Sequence, residues 1–382
     1  MYHYPGAIHM HTRFSDGSGS VEDLACAARD AGLRWIIITD HDDLQAKRYE
    51  GWLHDVLVIA GHEITPPRNH FLALGIDRVI DKRLPPQEFI NQVYDAGGFG
   101  IIAHPDERVK NSFKDVYRWD DWGIDGPRDR NGRTVGIELW NLMSDWGEHL
   151  TRRNKEVIYF FPRLGISGPT AETLAWWDRL NMAGKRTFGI GGVDAHAFVR
   201  KTLWGRVEVF PYRWMFGTLT NYVVLPDRLP LDVAEATRTI LNALAAGCSY
   251  FVNRLDGDCP ALTFYAARGA AYWHPGDTAD LRDGPLTFMV DVGCDAQVHL
   301  IHDGRILARG ARLLRHSVML PGVYRMEAYR RGMPWLYTNP VYVVGVGREV
   351  RGERGGRREV RGGKGGRREG GKARGERGPT MA

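Results

Sequence analysis

Cysteine is scarce in this chain: Cys26, Cys248, Cys259 and Cys294 are the four present in 382 residues, and no two form a CxxC pair. That spacing excludes a zinc knuckle and a disulfide framework and fits a reducing, cytoplasmic setting. Also missing is any uncharged apolar run long enough to cross a membrane. The opening residues MYHYPGAIHMH lack the basic start and apolar stretch of a signal peptide. A soluble cytoplasmic protein without a membrane partner is therefore expected. Nor is there an even excess of basic charge. The formal charge of +5 comes from residues 347–382, where 12 Lys/Arg face 5 Asp/Glu, leaving 39 basic and 41 acidic residues upstream. A nucleic-acid partner thus has a basic surface only in the tail, as a nonspecific contact, and the tail lacks the interleaved aromatics that stack bases.

What is present is apolar sequence in short, ordered pieces. A chain of this length with 43% hydrophobic residues can bury one large core and a smaller one. In the first two hundred residues, apolar runs alternate with amphipathic segments, the pattern of an α/β fold. Ser20, with Asp23 three residues on, predicts a capped helix whose apolar face is Leu24, Ala27, Ala28 and Ala31 and which ends at Gly32. Trp35–Ile38, Val56–Ala60, Gly100–Ile102, Gly136–Trp140 and Phe188–Gly191 predict buried strands, with a helix from about Pro86 to Ala96. A helix is expected from about Asp232 to Gly247. Beyond it Leu286–Val292, Gln297–Ile301, His316–Leu320, Val323–Tyr329 and Val341–Val346 alternate as strands of a small β-sandwich. The expected domains are 1–225, a helical connector 226–255, a sandwich 256–346 and a disordered Gly/Arg-rich tail 347–382.

Polar residues cluster where those strands end, the edge at which α/β folds collect their active sites. His9 and His11 in IHMHT, two residues apart, present two imidazoles to one point, and Asp194 and His196 in GGVDAH repeat the spacing. Between them lie Asp16 in SDGS, His41 in ITDHDD, Glu63 in GHEIT, His70 in NHFLALG and His104 in IIAHPD. This donor set, without sulfur, suits Zn²⁺, Mn²⁺ or Fe²⁺. It is too large for one ion. A carboxylate able to bridge, Glu63 or Asp194, would hold two or three divalent ions around a shared water, giving a metal-bridging hydroxide as the nucleophile.

In order and spacing, HMHTRFSDG, ITDHD, GHEIT with HFLALG, AHPD and GVDAH resemble the successive motifs of the polymerase and histidinol phosphatase (PHP) family of metal-dependent phosphoesterases, over about residues 5 to 200. The resemblance implies a distorted seven-stranded βα barrel binding up to three metals. It places one ion on His9, His11, Glu63 and Asp194, a second on Glu63, His70 and His104, and a third on Asp16, His41 and His196. The SDG and ITDHD wording is similar to the branch of small nucleotide phosphoesterases. The chain departs from that branch in having only 34 residues from His70 to His104, so the helical cap over the substrate is missing or reduced. PGVYRMEAYRRGMPWLYTNPVYV resembles the β-sandwich attached to some PHP-like hydrolases, including ones that cleave carbamates or other non-phosphate esters.

Hydrolysis of a small phosphorylated or nucleotide substrate is the function this reading implies, with Glu63, Asp194 and His104 as catalytic candidates. Arg13, Arg68 and Arg108 lie near ligands in sequence and could bind substrate phosphate. Asn141, with Glu138 in GIELWN, is either a pocket residue or part of a turn. Asp40 either orients His41 or caps the next turn, Asp42 is read as a solvated loop residue, and His62 should point away from the site. Hydrolysis of a carboxylic ester, carbamate or amide on the same metals is the alternative bond chemistry. The alternative class is a nucleic-acid-binding or scaffold protein with a structural PHP-like domain.

Overall fold

Helix α1 (Val21–Asp30) begins where its capping residues dictate. The Ser20 hydroxyl accepts the Asp23 amide at 3.1 Å, and the Asp23 carboxylate accepts the Ser20 amide at 2.8 Å. Val21, Leu24, Ala25 and Ala28 form its buried face, and the chain turns out of the helix at Gly32, whose φ is +76°. The computed structural model describes residues 1–108, 115–123, 135–203 and 205–345. The tail expected to be disordered lies outside the described residues.

The chain is a mixed α/β protein with a large sheet. Strand β1 (Tyr2–Ile8) lies parallel to β2 (Trp35–His41), and β2 parallel to β4 (Val56–Ile64), which also carries the short β3 (Gly51–Leu53). Antiparallel pairing then links β4 to β5 (Phe71–Leu74) and β5 to β6 (Phe99–Ile102), with helix α2 (Pro86–Asp95) between the last two in sequence. Parallel pairing resumes from β6 to β7 (Gly136–Asn141), followed in sequence by helices α3 (Leu142–Glu148), α4 (Lys155–Phe160) and α5 (Ala171–Met182), and from β7 to β8 (Gly189–Gly192). Beyond β8, Val193 N donates to Ile8 O, Ala195 N to His9 O and His11 N to Ala195 O, at 3.0, 3.2 and 2.9 Å. The segment after β8 is thereby bonded to the segment that leaves β1.

Strands β2 and β4 are almost wholly buried, as sheets covered on both faces must be. Their alternate residues feed two cores. Trp35, Ile37, Leu57 and Ile59 pack with Ile8, Leu72, Ile101 and Ile190, and with Ala236, Ile240 and Leu244 of a later helix. Ile36, Ile38, Val58 and Ala60 pack with Leu24 and Ala28 of α1 and Phe89 and Val93 of α2.

After a hairpin of β9 (Phe198–Thr202) and β10 (Gly205–Val209) and the short helix α6 (Tyr212–Phe216), β11 (Leu219–Leu225) runs antiparallel to β1. Helix α7 (Val233–Ala245) supplies the Ala236, Ile240 and Leu244 face, and β12 (Ser249–Asn253) pairs with both β11 and Met333–Thr338. That pairing carries the sheet into the C-terminal strands. There Leu286, Phe288 and Val290 are buried alternately, and Gln297–His302 lies between Arg305–Ala311 and Gly322–Arg330. The strand expected at His316–Leu320 is instead Leu313–Val318, because its register against Leu286–Asp291 pairs Leu313 with Asp291 and Val318 with Leu286. Met319 and Leu320 are exposed in the turn that follows.

One ionic contact joins this region to α5. Buried Arg325 donates from Nε and Nη2 to the two oxygens of Asp178, both at 2.7 Å, and from Nη1 to Glu327 at 2.5 Å, while its guanidinium stacks over Trp177. Among the described residues, no helix is long and apolar enough to cross a membrane.

Candidate metal centre

Strand alternation explains part of the site. On β4, Glu63 has the parity of Leu57 and Ile59, and on β2, His41 has that of Trp35 and Ile37, so both project from the face these residues share. His70 and Asp194 likewise keep the parity of Leu72 and Ile190. Two further ligands break the rule. Ile8 and Ala103 already occupy the shared face, yet His9 and His104, the very next residues, are turned toward the same cluster. Backbone conformation makes this possible, with φ of 70° at His9 and 27° at His104, and Asp194 is also left-handed at 53°. Such conformations cost on the order of 1–3 kcal/mol each in a non-glycine residue and persist where the surroundings enforce them. The bridge between Met10 and Ala195 then sets His9 and His11 beside Asp194 and His196.

Glu63 is the hub. Its Oε2 lies 3.3 Å from His9 Nε2, 3.5 Å from His11 Nε2 and 3.0 Å from His41 Nδ1, and its Oε1 lies 2.8 Å from His70 Nδ1 and 3.2 Å from His104 Nε2. Asp194 Oδ1 stands 3.4 Å from His9 Nε2 and 3.3 Å from His11 Nε2. Asp16 Oδ1 is 3.3 Å from His41 Nε2 and 3.1 Å from His196 Nε2. Within this cluster, among the described residues, three groups have ligand atoms close enough to hold an ion: His9, His11 and Asp194; His9, Glu63 and His104; and His11, Asp16, His41 and His196. His70 lies beside Glu63 but belongs to none of the three, its Nε2 being 3.0 Å from Pro66 O. His9 and His11 reach a second group each, which their spacing in sequence does not show.

The fit to divalent ions rests on atoms left without partners. His9 Nε2, both nitrogens of His11, His41 Nδ1, Glu63 Oε2 and His104 Nδ1 are buried and make no hydrogen bond. Burial of so many unsatisfied polar atoms in one place is costly unless an ion binds them. The electrostatics agree. Burial works to deprotonate His9, but Asp194, Glu138 and Glu63 outweigh it and raise its pKa well above the usual imidazole value. Against the same burial, Glu107 and Glu63 raise His104 to about 9, and the adjacent Asp16 and Glu63 carboxylates raise His41 to about 10. His11, buried and stacked 4.1 Å from the His196 ring, falls to about 3. Burial alone would raise Glu63 and Asp194, yet the surrounding imidazoles, His9 foremost, hold both well below the carboxylate range. Ionised carboxylates thus favour protons on nearby imidazoles, and divalent cations bound there would displace those protons.

A supporting layer fixes these side chains. Glu138 accepts from His9 Nδ1 at 2.9 Å, from the His104 amide at 2.6 Å and from Asn141 Nδ2 at 2.9 Å. Gly192 opposite must be glycine, since a Cβ there would sit 1.5 Å from Glu138 Oε1. Asn141 also donates to Asp194 at 3.3 Å and caps α3 through the Ser144 amide, so it serves both the pocket and the turn. Because Glu138 sets which nitrogen of His9 faces the cluster, Glu138→Gln is expected to weaken metal affinity by roughly 10–100-fold. A metal titration monitored by bound-ion content checks this, and an unchanged affinity would refute the orienting role.

Asp40 does not contact the His41 ring. Its carboxylate accepts the Thr12 amide at 2.6 Å, the Thr12 hydroxyl at 2.8 Å and the Ser15 hydroxyl at 2.7 Å, tying down the loop after His11. Asp42, expected to be solvated, accepts from the Thr65 amide and hydroxyl and from Lys82 at 2.7 Å. His62 faces the other way and accepts the Ile80 amide at 3.2 Å.

Above the cluster opens a cavity of about 990 Å³ lined by Asp16, His41, Glu63, His70, His104, Asp194 and His196, with Lys82, Arg83 and Arg200 as its cations. None of the three arginines expected to bind substrate lines it. Arg13 is exposed beside Asp23, Arg68 pairs with Asp120, and Arg108 pairs with Glu172. Nearness in sequence to a ligand does not aim a long side chain at it. Two aromatic rings stand on imidazoles of the cluster: Tyr117 stacks on His70 at 4.6 Å and Phe198 on His196 at 4.6 Å, with the Arg200 guanidinium over Phe198. No metal-type spacing marks these residues in the sequence.

Known proteins similar to the chain include the following. An uncharacterized protein of Methanocaldococcus jannaschii is 30% identical over 114 residues, an alignment spanning 26% of this chain and 66% of that protein. Among solved structures, a two-domain protein of Bacteroides vulgatus, named for a predicted PHP-like metal-dependent phosphoesterase, is 14% identical and covers 89% of this chain and 95% of its own, with a TM-score of 0.40. A Bifidobacterium adolescentis protein named for a metal-dependent phosphoesterase is 16% identical over 50% of this chain and 87% of its own, with a TM-score of 0.34. Residues 7–97, which carry His9, His11, Asp16, His41, Glu63 and His70, match the PHP domain.

Proposed function

We propose that this chain is a metal-dependent hydrolase that cleaves a phosphoester in a small phosphorylated or nucleotide substrate. One observation carries the reading: the His, Glu and Asp cluster, with buried atoms lacking any hydrogen-bond partner, lies on the floor of an open cavity that also presents Lys82, Arg83 and Arg200. His9, His11, Glu63 and Asp194 would hold one ion, Glu63, His70 and His104 a second, and Asp16, His41 and His196 a third, of Zn²⁺, Mn²⁺ or Fe²⁺ type. Bound there, such ions lower the pKa of coordinated water and offset charge on phosphoryl oxygens.

The chain's own residues do the rest. Glu63 spans two ligand positions and sets their separation. Asn141 and Glu138 hold Asp194 and His9 in register, and the three cavity cations attract a phosphorylated ligand. Tyr117 and Phe198 give the cavity aromatic walls suited to a planar leaving group. In this reading, β1, β2 and β4 to β8 form the distorted seven-stranded barrel that carries the site, and residues 256–346 form a β-sandwich beyond the connector 226–255.

The test is turnover by metal-reconstituted protein of 4-nitrophenyl phosphate and its diester beside 4-nitrophenyl acetate and a carbamate. Phosphate turnover is expected, with loss after chelation and recovery on adding Mn²⁺ or Zn²⁺. Inactivity on both phosphates with turnover of the acetate or carbamate would move the chemistry to the other bond class. Activities unchanged by His9→Ala and Asp194→Ala would leave the domain a structural role.

A further inference from the structure

A second group of unlike ligands lies away from the cavity. Glu22 and Cys26, four residues apart on α1, share one flank of the helix, next to its buried face. His54 reaches them from the two-residue turn that closes the β3 and β4 hairpin, at the opposite end of β4 from Glu63. One atom each of Glu22, Cys26 and His54 lie within 4.8 Å of one another, and His54 Nε2 is in direct contact with Glu22 Oε1. The turn is unusual in its residues. His54 and Asp55 both have positive φ, 51° and 64°, the paired left-handed geometry that hairpins normally give to Asn and Gly. A bulky imidazole held there is aimed at α1.

The geometry points to a surface metal site in which the Cys26 sulfur, a His54 ring nitrogen and a Glu22 carboxylate oxygen bind one Zn²⁺-type cation. This site stands independently of the proposed hydrolysis. Sulfur, imidazole nitrogen and carboxylate oxygen together match the borderline softness of zinc, and three protein ligands leave the fourth tetrahedral position to water. Binding releases the Cys26 thiol proton to solvent. Cys26 is half-buried and not disulfide-bonded, and Glu22 and His54 are partly exposed, so the ion has access. Once bound, it would clamp α1 to the hairpin turn.

Sulfur makes the site separable from the catalytic cluster, whose ligands include no cysteine. Co²⁺ added to the chelator-stripped, reduced full-length protein is expected to give a thiolate-to-cobalt charge-transfer band in the near ultraviolet, which Zn²⁺ then bleaches by displacement. Cys26→Ser should abolish the band. His54→Gly, which removes the imidazole while suiting the left-handed turn, should abolish it or move its saturation to higher Co²⁺, with the folded state retained by circular dichroism. Hydrolytic activity of both variants should stay at the level of the parent chain. Absence of the band at saturating Co²⁺, its persistence in Cys26→Ser, or an unchanged saturation in His54→Gly would each overturn the proposal.

Discussion

Glu63→Gln is expected to reduce kcat/KM on the best phosphoester by at least about 10³-fold, the scale on which a catalytic site loses a group that stabilises charge in its transition state. It should also lower the bound metal per chain. The substitution keeps the side chain's volume, so packing between β2 and β4 should survive. What changes is chemical. A carboxylate that faces five imidazoles, the nearest at 2.8 Å from His70, becomes a neutral amide that presents N–H donors to some of them. In the proposed role as a shared ligand, the carboxylate would offer two oxygens that carry negative charge, whereas the amide offers one neutral acceptor. Metal analysis of the purified variant and steady-state kinetics after reconstitution read both effects, with circular dichroism confirming the fold. Full activity with full metal content would sink the assignment of Glu63 as hub. Loss of metal with the fold intact would support it even on a substrate panel that misses the natural ligand.

The largest effect on stability is expected at the far side of α5. Arg325→Leu should cost about 3–5 kcal/mol, because it strands the buried Asp178 and Glu327 carboxylates without their partner. Exposed pairs behave differently. Arg68→Ala, which removes a pair with Asp120 whose two side chains are 44% and 47% exposed, should change stability by less than about 1 kcal/mol. Urea denaturation of the full chain followed by tryptophan fluorescence compares the two, since Trp177 lies under the Arg325 guanidinium. An Arg325→Leu variant within about 1 kcal/mol of the parent would show that water reaches these carboxylates. Replacing Arg325, Asp178 and Glu327 together by apolar residues should recover much of the loss, as the penalty lies in the unpaired charges.

Much of the site could be read from the sequence because it is local. HxH, DxH and single ligands placed directly after apolar strands need only strand alternation and chain order, and the structure brings His9, His11, Asp16, His41, Glu63, His70, His104, Asp194 and His196 into one cluster. The Ser20 and Asp23 cap of α1 is local in the same way. Which cations line the cavity was not legible. Arg13, Arg68 and Arg108 were candidates by nearness along the chain, whereas Lys82, Arg83 and Arg200 reach the cavity through loops and a hairpin whose paths no short-range pattern encodes.

By itself, then, the sequence determined which residue types stand at the strand ends, in what order, and hence that hard and borderline ligands without sulfur gather there. Tertiary structure alone decided how they face one another. Left-handed backbone at His9 and His104 overrides strand alternation, Glu138 reaches from β7 to set the His9 ring, and His54 turns onto α1. The physical reason is common to all three. Donor identity is a property of one residue, but direction depends on φ values and partners that only packing between distant segments can enforce.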